Sequence, residues 1–184
     1  MLIYSAITSL DGYTADREGD FRWGEPDEEL MALINDLERP VGTYLLGRRM
    51  YEVMRYWEET DLTGRSPAAR EFGEIWRSAG KIVYSASLPA TSTARTRLER
   101  NLDLEAVRAL KQRGDITIAG PTLAAHAIRA GLVDEYQFFV TPVLVGGGLP
   151  ALPEGATASL DLVDERRFAS GVVYLRYRAR PVDG

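Results

Sequence analysis

Cysteine is absent from the sequence, and histidine occurs only once. The lack of cysteine excludes disulfides, thiolate metal ligands and cysteine nucleophiles. The single histidine, His126, lies in a helical pattern, where a structural or surface role is the better interpretation. A zinc site would have to consist mostly of carboxylates, which is unusual for zinc. We therefore predict a protein without a metal centre.

Long apolar runs and stripes of one charge are absent as well. No segment approaches the roughly 20 apolar residues that a membrane-spanning helix needs, and residues 1–4 enter a strand-like pattern without the features of a signal peptide. The net charge is -5, and the 22 basic residues are scattered among the acidic ones. We therefore expect neither a membrane nor a nucleic acid as a partner, and we predict a cytoplasmic protein.

The pattern of hydrophobic residues predicts an α/β fold. The 184 residues, of which 45% are hydrophobic, fit one compact domain over residues 1–184. The predicted strands cover residues 2–8, 41–46, 81–85, 95–99, 115–119, 136–143, 160–168 and 172–178, and the predicted helices start near residues 26, 48, 67, 102 and 121. This order predicts a mixed, mostly parallel sheet with helices on both faces and a C-terminal antiparallel hairpin.

Three of the predicted strands end in residues suited to binding a phosphate. Ligands of parallel sheets bind beyond the carboxyl ends of the strands, which is where Gly47, Ser85 and Gly120 fall. At Gly120 the missing Cβ lets a ligand approach the backbone, and Pro121 starts a helix whose first free N–H groups, at residues 122 and 123, suit a diphosphate. A structural strand-to-helix turn is the alternative.

Two arginines start the helix after Gly47. Positive charge is unfavourable at a helix N-terminus, so an anion near Arg48 and Arg49 would relieve it, and guanidinium groups bind phosphate through paired hydrogen bonds. A solvated surface pair is the alternative. Ser85 could contact a ribose phosphate, although serine after a strand is usually turn chemistry. The dinucleotide fingerprint and the P-loop motif are both missing, and we interpret the glycines at 146–148 as a sharply turning or mobile loop.

Carboxylates and aromatic residues surround a long polar segment, residues 13–25. The carboxylates are Asp11, Asp27 and Glu28. One of them could orient a substrate nitrogen or relay a proton, and the alternative is a turn residue and two helix N-terminal charges. Trp23 and Tyr51 could stack on a flat heterocycle or could belong to the core.

Four segments taken together resemble the dihydrofolate reductase superfamily, and most closely its riboflavin-biosynthesis branch, the RibD C-terminal reductase-domain type. The segments read Ser-Leu-Asp-Gly at residues 9–12, Leu-Gly-Arg-Arg-Met-Tyr-Glu at 46–52, Ile-Ala-Gly-Pro-Thr-Leu at 118–123 and Ala-Gly-Leu-Val-Asp-Glu at 130–135. The resemblance spans almost the whole chain. It implies a mixed sheet with NADPH across the strand carboxyl ends. The zinc-binding deaminase half of the bifunctional riboflavin enzyme is absent.

The resemblance also implies roles for individual residues. The family's cofactor-binding positions match Gly47, Arg48, Arg49, Met50, Ser85, Gly120, Pro121, Thr122 and Leu123. Pro121 departs from the family, because a second glycine is common at that position. In dihydrofolate reductase an acid on the first helix contacts the pterin, which corresponds to Asp27 or Glu28. In the riboflavin branch the Ser-x-Asp-Gly loop lies at the substrate pocket, which points to Asp11.

These observations predict an NADPH-dependent reductase that transfers hydride to a small pteridine- or pyrimidine-type heterocycle, such as dihydrofolate or 5-amino-6-(5-phosphoribosylamino)uracil. The bond reduced would be of the CH–NH or C=N type, or a ribosyl carbonyl. The alternative is a nucleotide-binding protein without turnover, a sensor or buffer on the same scaffold, because no proton donor is unambiguous. We also expect a homodimer, since Val173, Leu175 and Tyr177 alternate on a terminal strand that could pair or pack with a second copy.

Overall fold

The structure is a computed structural model that describes residues 1–180. The chain divides into two compact units. Residues 26–120 form one of them, which we call the parallel unit. Residues 1–25 together with residues 121–180 form the other, which we call the mixed unit. The single domain over residues 1–184 stays a prediction, and its last four residues lie outside the described part.

Strands and helices alternate through most of the chain. The strands are β1 (Leu2–Thr8), β2 (Tyr13–Ala15), β3 (Thr43–Gly47), β4 (Gly80–Tyr84), β5 (Thr96–Glu99), β6 (Ile116–Ala119), β7 (Glu135–Val140), β8 (Leu149–Pro150), β9 (Leu160–Arg167) and β10 (Val173–Ala179). The helices are α1 (Glu28–Glu38), α2 (Arg48–Met54), α3 (Tyr56–Glu59), α4 (Pro67–Ser78), α5 (Leu104–Lys111) and α6 (Pro121–Arg129), and a 3₁₀ helix covers Arg22–Gly24. Within residues 1–180, none of these helices combines the length and the apolar character that crossing a bilayer requires.

The parallel unit contains a sheet in the order β5-β4-β3-β6, in which each neighbouring pair is parallel. Its inner strand β3 has three consecutive buried residues, Tyr44 to Leu46. Such a continuous apolar run is typical of a strand that is covered on both faces. Helix α4 turns Phe72, Ile75 and Trp76 toward the core, and their spacing of three residues and then one keeps them on one side of the helix.

The mixed unit contains strands in the order β1-β7-β10-β9. The β1–β7 pair is parallel, whereas β10 is antiparallel to both β7 and β9. The short strands β2 and β8 pair separately, with Tyr13 opposite Pro150. This small ribbon joins the segment after β1 to the segment after β7, so that both segments are ordered together.

The predicted fold class is confirmed, since the strand pairs are mostly parallel, helices alternate with the strands, and the chain ends in an antiparallel hairpin. Some bounds were wrong by a few residues: β3 begins at Thr43 rather than at residue 41, and β7 ends at Val140 rather than at residue 143. The 13–25 segment is not one continuous loop, because it contains β2 and the 3₁₀ helix. These elements are too short to show a hydrophobic period in the sequence.

Candidate active site

The parallel unit brings three of the predicted binding positions to one edge of its sheet. Leu46 on β3 lies opposite Ala119 on β6, and Gly47 lies opposite Tyr84 on β4. The residues that follow these strands therefore leave the sheet side by side. We call this region, residues 47–50, 85–88 and 120, the phosphate edge.

Gly120 has a backbone conformation at the phosphate edge that favours glycine. Its φ is +93°, a conformation that residues with a Cβ rarely adopt. A Cβ built there would lie 3.4 Å from the Cβ of Met50, so these two predicted cofactor residues are neighbours. Helix α6 begins at the next residue, Pro121, which leaves the N–H groups of Thr122 and Leu123 in its first turn, where an intrahelical partner is not available.

The two arginines of the phosphate edge differ in their partners. Arg48 pairs through Nε with the Glu52 carboxylate at 2.7 Å and donates from Nη1 to the Ser87 hydroxyl at 3.0 Å. Arg49 is exposed, and its side chain has no hydrogen-bond or ion-pair partner among residues 1–180. One guanidinium is thus held in place, and the other is free to bind an anion.

Ser85 and Ser87 also differ. The Ser85 hydroxyl is buried and accepts hydrogen bonds from the N–H groups of Ser87 and Leu88, at 3.3 and 3.0 Å. These bonds are typical of a serine that stabilises a turn after a strand. Ser87 is exposed and faces Arg48. The binding role of Ser85 stays a prediction, and Ser87 is the exposed serine of the same segment.

Tyr51, predicted to stack on a substrate, is only 2% exposed. Its hydroxyl accepts hydrogen bonds from the N–H groups of Ser92 and Thr93, at 2.8 and 3.2 Å. Burial by itself would raise the pKa of Tyr51, but the hydrogen bonds from Ser92 and Thr93 outweigh it, so that the pKa is lowered. The structure therefore places this ring in the core, as the alternative interpretation had it, and leaves no face of it open for stacking.

Trp23 lies in the 3₁₀ helix and is partly exposed. Its indole N–H donates to the carbonyl of Asp20 at 3.1 Å. The next residue, Gly24, packs closely on β1, because a Cβ there would lie 2.9 Å from Cγ2 of Ile7. The Trp23 ring is therefore partly open to solvent on a fixed backbone. Its stacking on a substrate stays a prediction.

The carboxylates of Asp27 and Glu28 both accept hydrogen bonds from backbone N–H groups at the N-terminus of a helix. Asp27 is the N-cap of α1 and accepts a hydrogen bond from the N–H of Leu30 at 2.8 Å. Glu28 accepts one from the N–H of Ala68, in the first turn of α4, at 3.1 Å. Each satisfies a backbone donor that a helix start leaves without an intrahelical partner.

Asp11 binds the backbone of the glycine-rich segment after β7. Its carboxylate accepts hydrogen bonds from the N–H groups of Val145 and Gly146, at 3.2 and 2.7 Å. The pKa of Asp11 is lowered, first by a hydrogen bond from Ser9 and further by these amides. An exposed carboxylate with a lowered pKa is ionised at neutral pH and is a poor proton donor.

The segment that Asp11 holds, residues 145–148, is called the triglycine turn below. Its glycines have φ values of +70°, +137° and +141°. A Cβ on Gly147 would lie 2.7 Å from Nε of Arg17, and a Cβ on Gly148 would overlap the carbonyl oxygen of Ala15. The turn is therefore sharp and packed against the chain's own β2 segment.

The mixed unit also contains an open, mostly apolar pocket of about 320 Å³. It is lined by Thr8, Ser9, Leu10, Gly12, Phe138, Val140, Ala151 and Leu152. Leu10 and Leu152 are 64% and 49% exposed, so the rim presents apolar side chains to solvent. Asp11 lies between two lining residues in the sequence but is occupied by the triglycine turn.

Comparison with known proteins decides the family. Residues 1–174 match the model of the RibD C-terminal domain. The chain belongs to the RibD C-terminal domain family. Protein YyaP of Bacillus subtilis is 28% identical over 185 residues, covering 96% of this chain and 93% of that protein. The riboflavin biosynthesis protein RibD of Mycobacterium tuberculosis is 35% identical over 69 residues, which cover 36% of this chain and 20% of that protein.

Solved structures confirm the fold of this RibD C-terminal domain. A pyrimidine reductase-like protein of Corynebacterium diphtheriae has a TM-score of 0.68 at 16% identity, over 98% of this chain and 92% of that one. The diaminohydroxyphosphoribosylaminopyrimidine deaminase/reductase of Thermotoga maritima has a TM-score of 0.65 at 17% identity, and the match covers 97% of this chain but 56% of that longer one. Dihydrofolate reductase of Enterococcus faecalis, solved with NADP(H), has a TM-score of 0.62 at 15% identity. The match covers 98% of this chain and 96% of that one. These likenesses show that the fold of this chain is shared with all three proteins.

Proposed function

We propose that the protein is an NADPH-dependent reductase that transfers hydride to a small pteridine- or pyrimidine-type heterocycle. The observation that carries the proposal is the phosphate edge, where Arg49 has no partner among the described residues and Arg48 points at the Ser87 hydroxyl. Charge-assisted hydrogen bonds from such groups to a phosphate are worth about 1.5–3 kcal/mol each. The ribose phosphate that distinguishes NADPH from NADH fits these groups.

The chain's own residues would bind and orient the cofactor. Bound NADPH supplies the hydride, and the protein supplies placement and electrostatics. Arg48, Arg49 and Ser87 would hold the ribose phosphate. Gly120 leaves its backbone open to close approach at φ +93°, and the N–H groups in the first turn of α6 are the predicted donors to the diphosphate.

The proposed substrate class follows from the relatives. The Thermotoga maritima protein is named as a 5-amino-6-(5-phosphoribosylamino)uracil reductase, and the Enterococcus faecalis protein is a dihydrofolate reductase. We propose a heterocycle of one of these two kinds for this chain. Trp23 is the predicted stacking residue, and Asp11, Asp27 and Glu28 remain the predicted carboxylates for substrate orientation or proton transfer.

Titration of the tryptophan fluorescence with each cofactor tests the proposal. We expect wild type to bind NADPH well ahead of NADH, and Arg49→Ala to reduce that preference about tenfold, the lower end of what one lost charge-assisted bond predicts. Arg113→Ala is the matched control, because Arg113 is also exposed and without a side-chain partner among residues 1–180, but follows α5, away from the strand carboxyl ends. Binding of neither cofactor by wild type would refute the proposal.

A nucleotide-binding protein without turnover is the second candidate. It is favoured by the carboxylates, because Asp11, Asp27 and Glu28 each already accept a hydrogen bond from a backbone N–H, and Asp11 has a lowered pKa. NADPH oxidation would be followed by absorbance with a panel of folates, pterins and aminopyrimidine ribose phosphates. Saturable binding without oxidation favours this candidate, and turnover with any member excludes it.

The cytoplasmic location of the protein also stays a proposal. We further propose that two copies associate through the C-terminal hairpin. Val173 is exposed, and Leu175 and Tyr177 are partly exposed on the same face of β10. Leu162, opposite Tyr177 on β9, is 50% exposed and extends this apolar face. Light scattering should give the mass of a dimer in wild type and of a monomer in Val173→Asp, whereas a monomeric wild type would contradict the association.

A further inference from the structure

The segment that follows β4 carries the serine of the phosphate edge, and we call residues 85–88 the serine loop. It belongs to no helix or strand. Two of its N–H groups, those of Ser87 and Leu88, are taken up by the Ser85 hydroxyl. The local sequence therefore supplies the turn, but it does not supply partners for the carbonyl groups of the loop.

Those carbonyl groups converge on one side chain, Arg100. Its Nη1 lies 3.1 Å from the oxygen of Ser85, 3.5 Å from that of Ala86 and 2.7 Å from that of Leu88. The guanidinium is planar and always charged, so it offers a fixed direction for these bonds. Nothing in the local sequence around Arg100 indicates this contact.

The parallel pairing of β4 and β5 explains why Arg100 reaches the loop. Tyr84 lies opposite Glu99 at the ends of these strands, and the N–H of Ser85 donates to the carbonyl of Glu99 at 2.9 Å. Arg100 therefore leaves the sheet directly beside Ser85. The neighbouring Arg97 instead pairs with Glu99, at 3.2 Å, and makes no recorded bond to the loop.

We infer that Arg100 is a positioning residue for the cofactor phosphate, and the inference rests on the proposed function. Carbonyl oxygens carry partial negative charge and would repel a phosphate if they faced it. Arg100 binds these oxygens and adds a positive charge behind the loop. The Ser87 hydroxyl then stays directed toward Arg48, at 3.0 Å. Arg100 thereby raises the preference for NADPH over NADH without touching the ligand itself.

The test compares three variants by the ratio of the NADH and NADPH dissociation constants. We expect this ratio to fall about fivefold or more in Arg100→Met, and Arg100→Lys to recover part of the loss, because an ammonium group keeps the charge and donates to the same oxygens. Arg97→Met, the matched control, removes one charge from β5, the strand that ends just before Arg100, and should keep the ratio within about twofold of wild type. A ratio in Arg100→Met that equals the control's overturns the inference. If Arg100→Met does not fold, Arg100→Gln replaces it, and a ratio in Arg100→Gln that equals the control's overturns the inference.

Amide hydrogen exchange of the ligand-free protein separates this inference from the proposed function. We expect the N–H groups of Ser87 and Leu88 to exchange about tenfold faster in Arg100→Met than in wild type and in Arg97→Met. If wild type binds neither cofactor, the proposed function fails, and unchanged exchange would reject the positioning of the loop as well. If wild type prefers NADPH and Arg100→Met retains that preference, only the role of Arg100 is rejected.

Discussion

The phosphate edge and the triglycine turn have the same kinds of residue but use them differently. Both have glycine with a positive φ after a strand, Gly120 in one and Gly146 to Gly148 in the other, and both have an arginine nearby. In the triglycine turn the chain itself takes up these features, because Asp11 binds the Gly146 amide and Arg17 donates to the Gly146 carbonyl. At the phosphate edge Arg49 has no partner among the described residues. The free Arg49 is therefore the feature on which the proposed ligand site at the phosphate edge depends.

The largest expected effect tests whether the triglycine turn is structural. Alanine at Gly148 would place a Cβ against the carbonyl of Ala15 at a φ of +141°, and the overlap and the strained backbone together should lower the free energy of unfolding by about 3 kcal/mol or more. Gly146→Ala is the control, because φ is +70° there and no atom lies within 4 Å of the added Cβ, so a loss of about 1 kcal/mol is expected. Urea unfolding measures both. Equal losses would contradict the packing of the turn.

Glu38 in the parallel unit and Asp11 in the mixed unit have pKa values that are shifted in opposite directions. Their contributions to stability should therefore depend on pH in opposite ways. Burial raises the pKa of Glu38 to about 7 from its usual 4.5, and this outweighs the lowering effect of the neighbouring Tyr44 hydroxyl. A pKa that is higher in the folded state means that the stabilisation is present below the unfolded pKa and is lost as pH rises through about 7. Glu38→Gln should therefore gain about 3 kcal/mol relative to wild type between about pH 4.5 and about pH 8.

Asp11 should show the opposite dependence. Its pKa is lowered by hydrogen bonds from Ser9 and from the triglycine turn, so its contribution is present above the unfolded pKa and is lost as the pH falls through the lower folded value. Urea unfolding of Glu38→Gln and Asp11→Asn across the pH range measures both. A Glu38→Gln variant whose stability runs parallel to that of wild type at every pH would contradict a buried, neutral Glu38.

A smaller loss of stability is expected at Tyr51, which follows the phosphate edge in helix α2. Tyr51→Phe removes the acceptor of the Ser92 and Thr93 N–H groups, and a buried donor left without a partner costs about 1–3 kcal/mol. Tyr56→Phe is the control in the same unit, because no hydrogen bond of the Tyr56 hydroxyl is recorded among residues 1–180, and it should change the stability by less than about 0.5 kcal/mol. Thermal unfolding compares the two. Equal shifts would show that the Tyr51 hydroxyl does not anchor the segment.

Local sequence signals predicted the fold and the shared position of Gly47 and Gly120 at one sheet edge, whereas the binding roles of these residues stay predictions. A continuous apolar run such as Leu45-Leu46 identifies a parallel strand, and parallel pairing then forces Gly47 and Gly120 to the same edge. The contacts that decide individual roles were not predictable in this way. Asp11 and Gly146 are 135 positions apart in the chain, and the N–H of Ser92, which donates to the buried Tyr51 hydroxyl, is 41 positions from it.

The smallest effect concerns Asp27, whose carboxylate is either part of the chemistry or only a helix cap. Asp27→Ala should lower the free energy of unfolding by about 1 kcal/mol, because the N–H of Leu30 loses its acceptor. Asp27→Asn keeps an oxygen in that place, and asparagine caps helices as well as aspartate does, so its urea midpoint should equal that of wild type. Turnover measured on this stable variant then isolates the charge. A loss of activity without a loss of stability would mean that Asp27 has a function beyond capping α1.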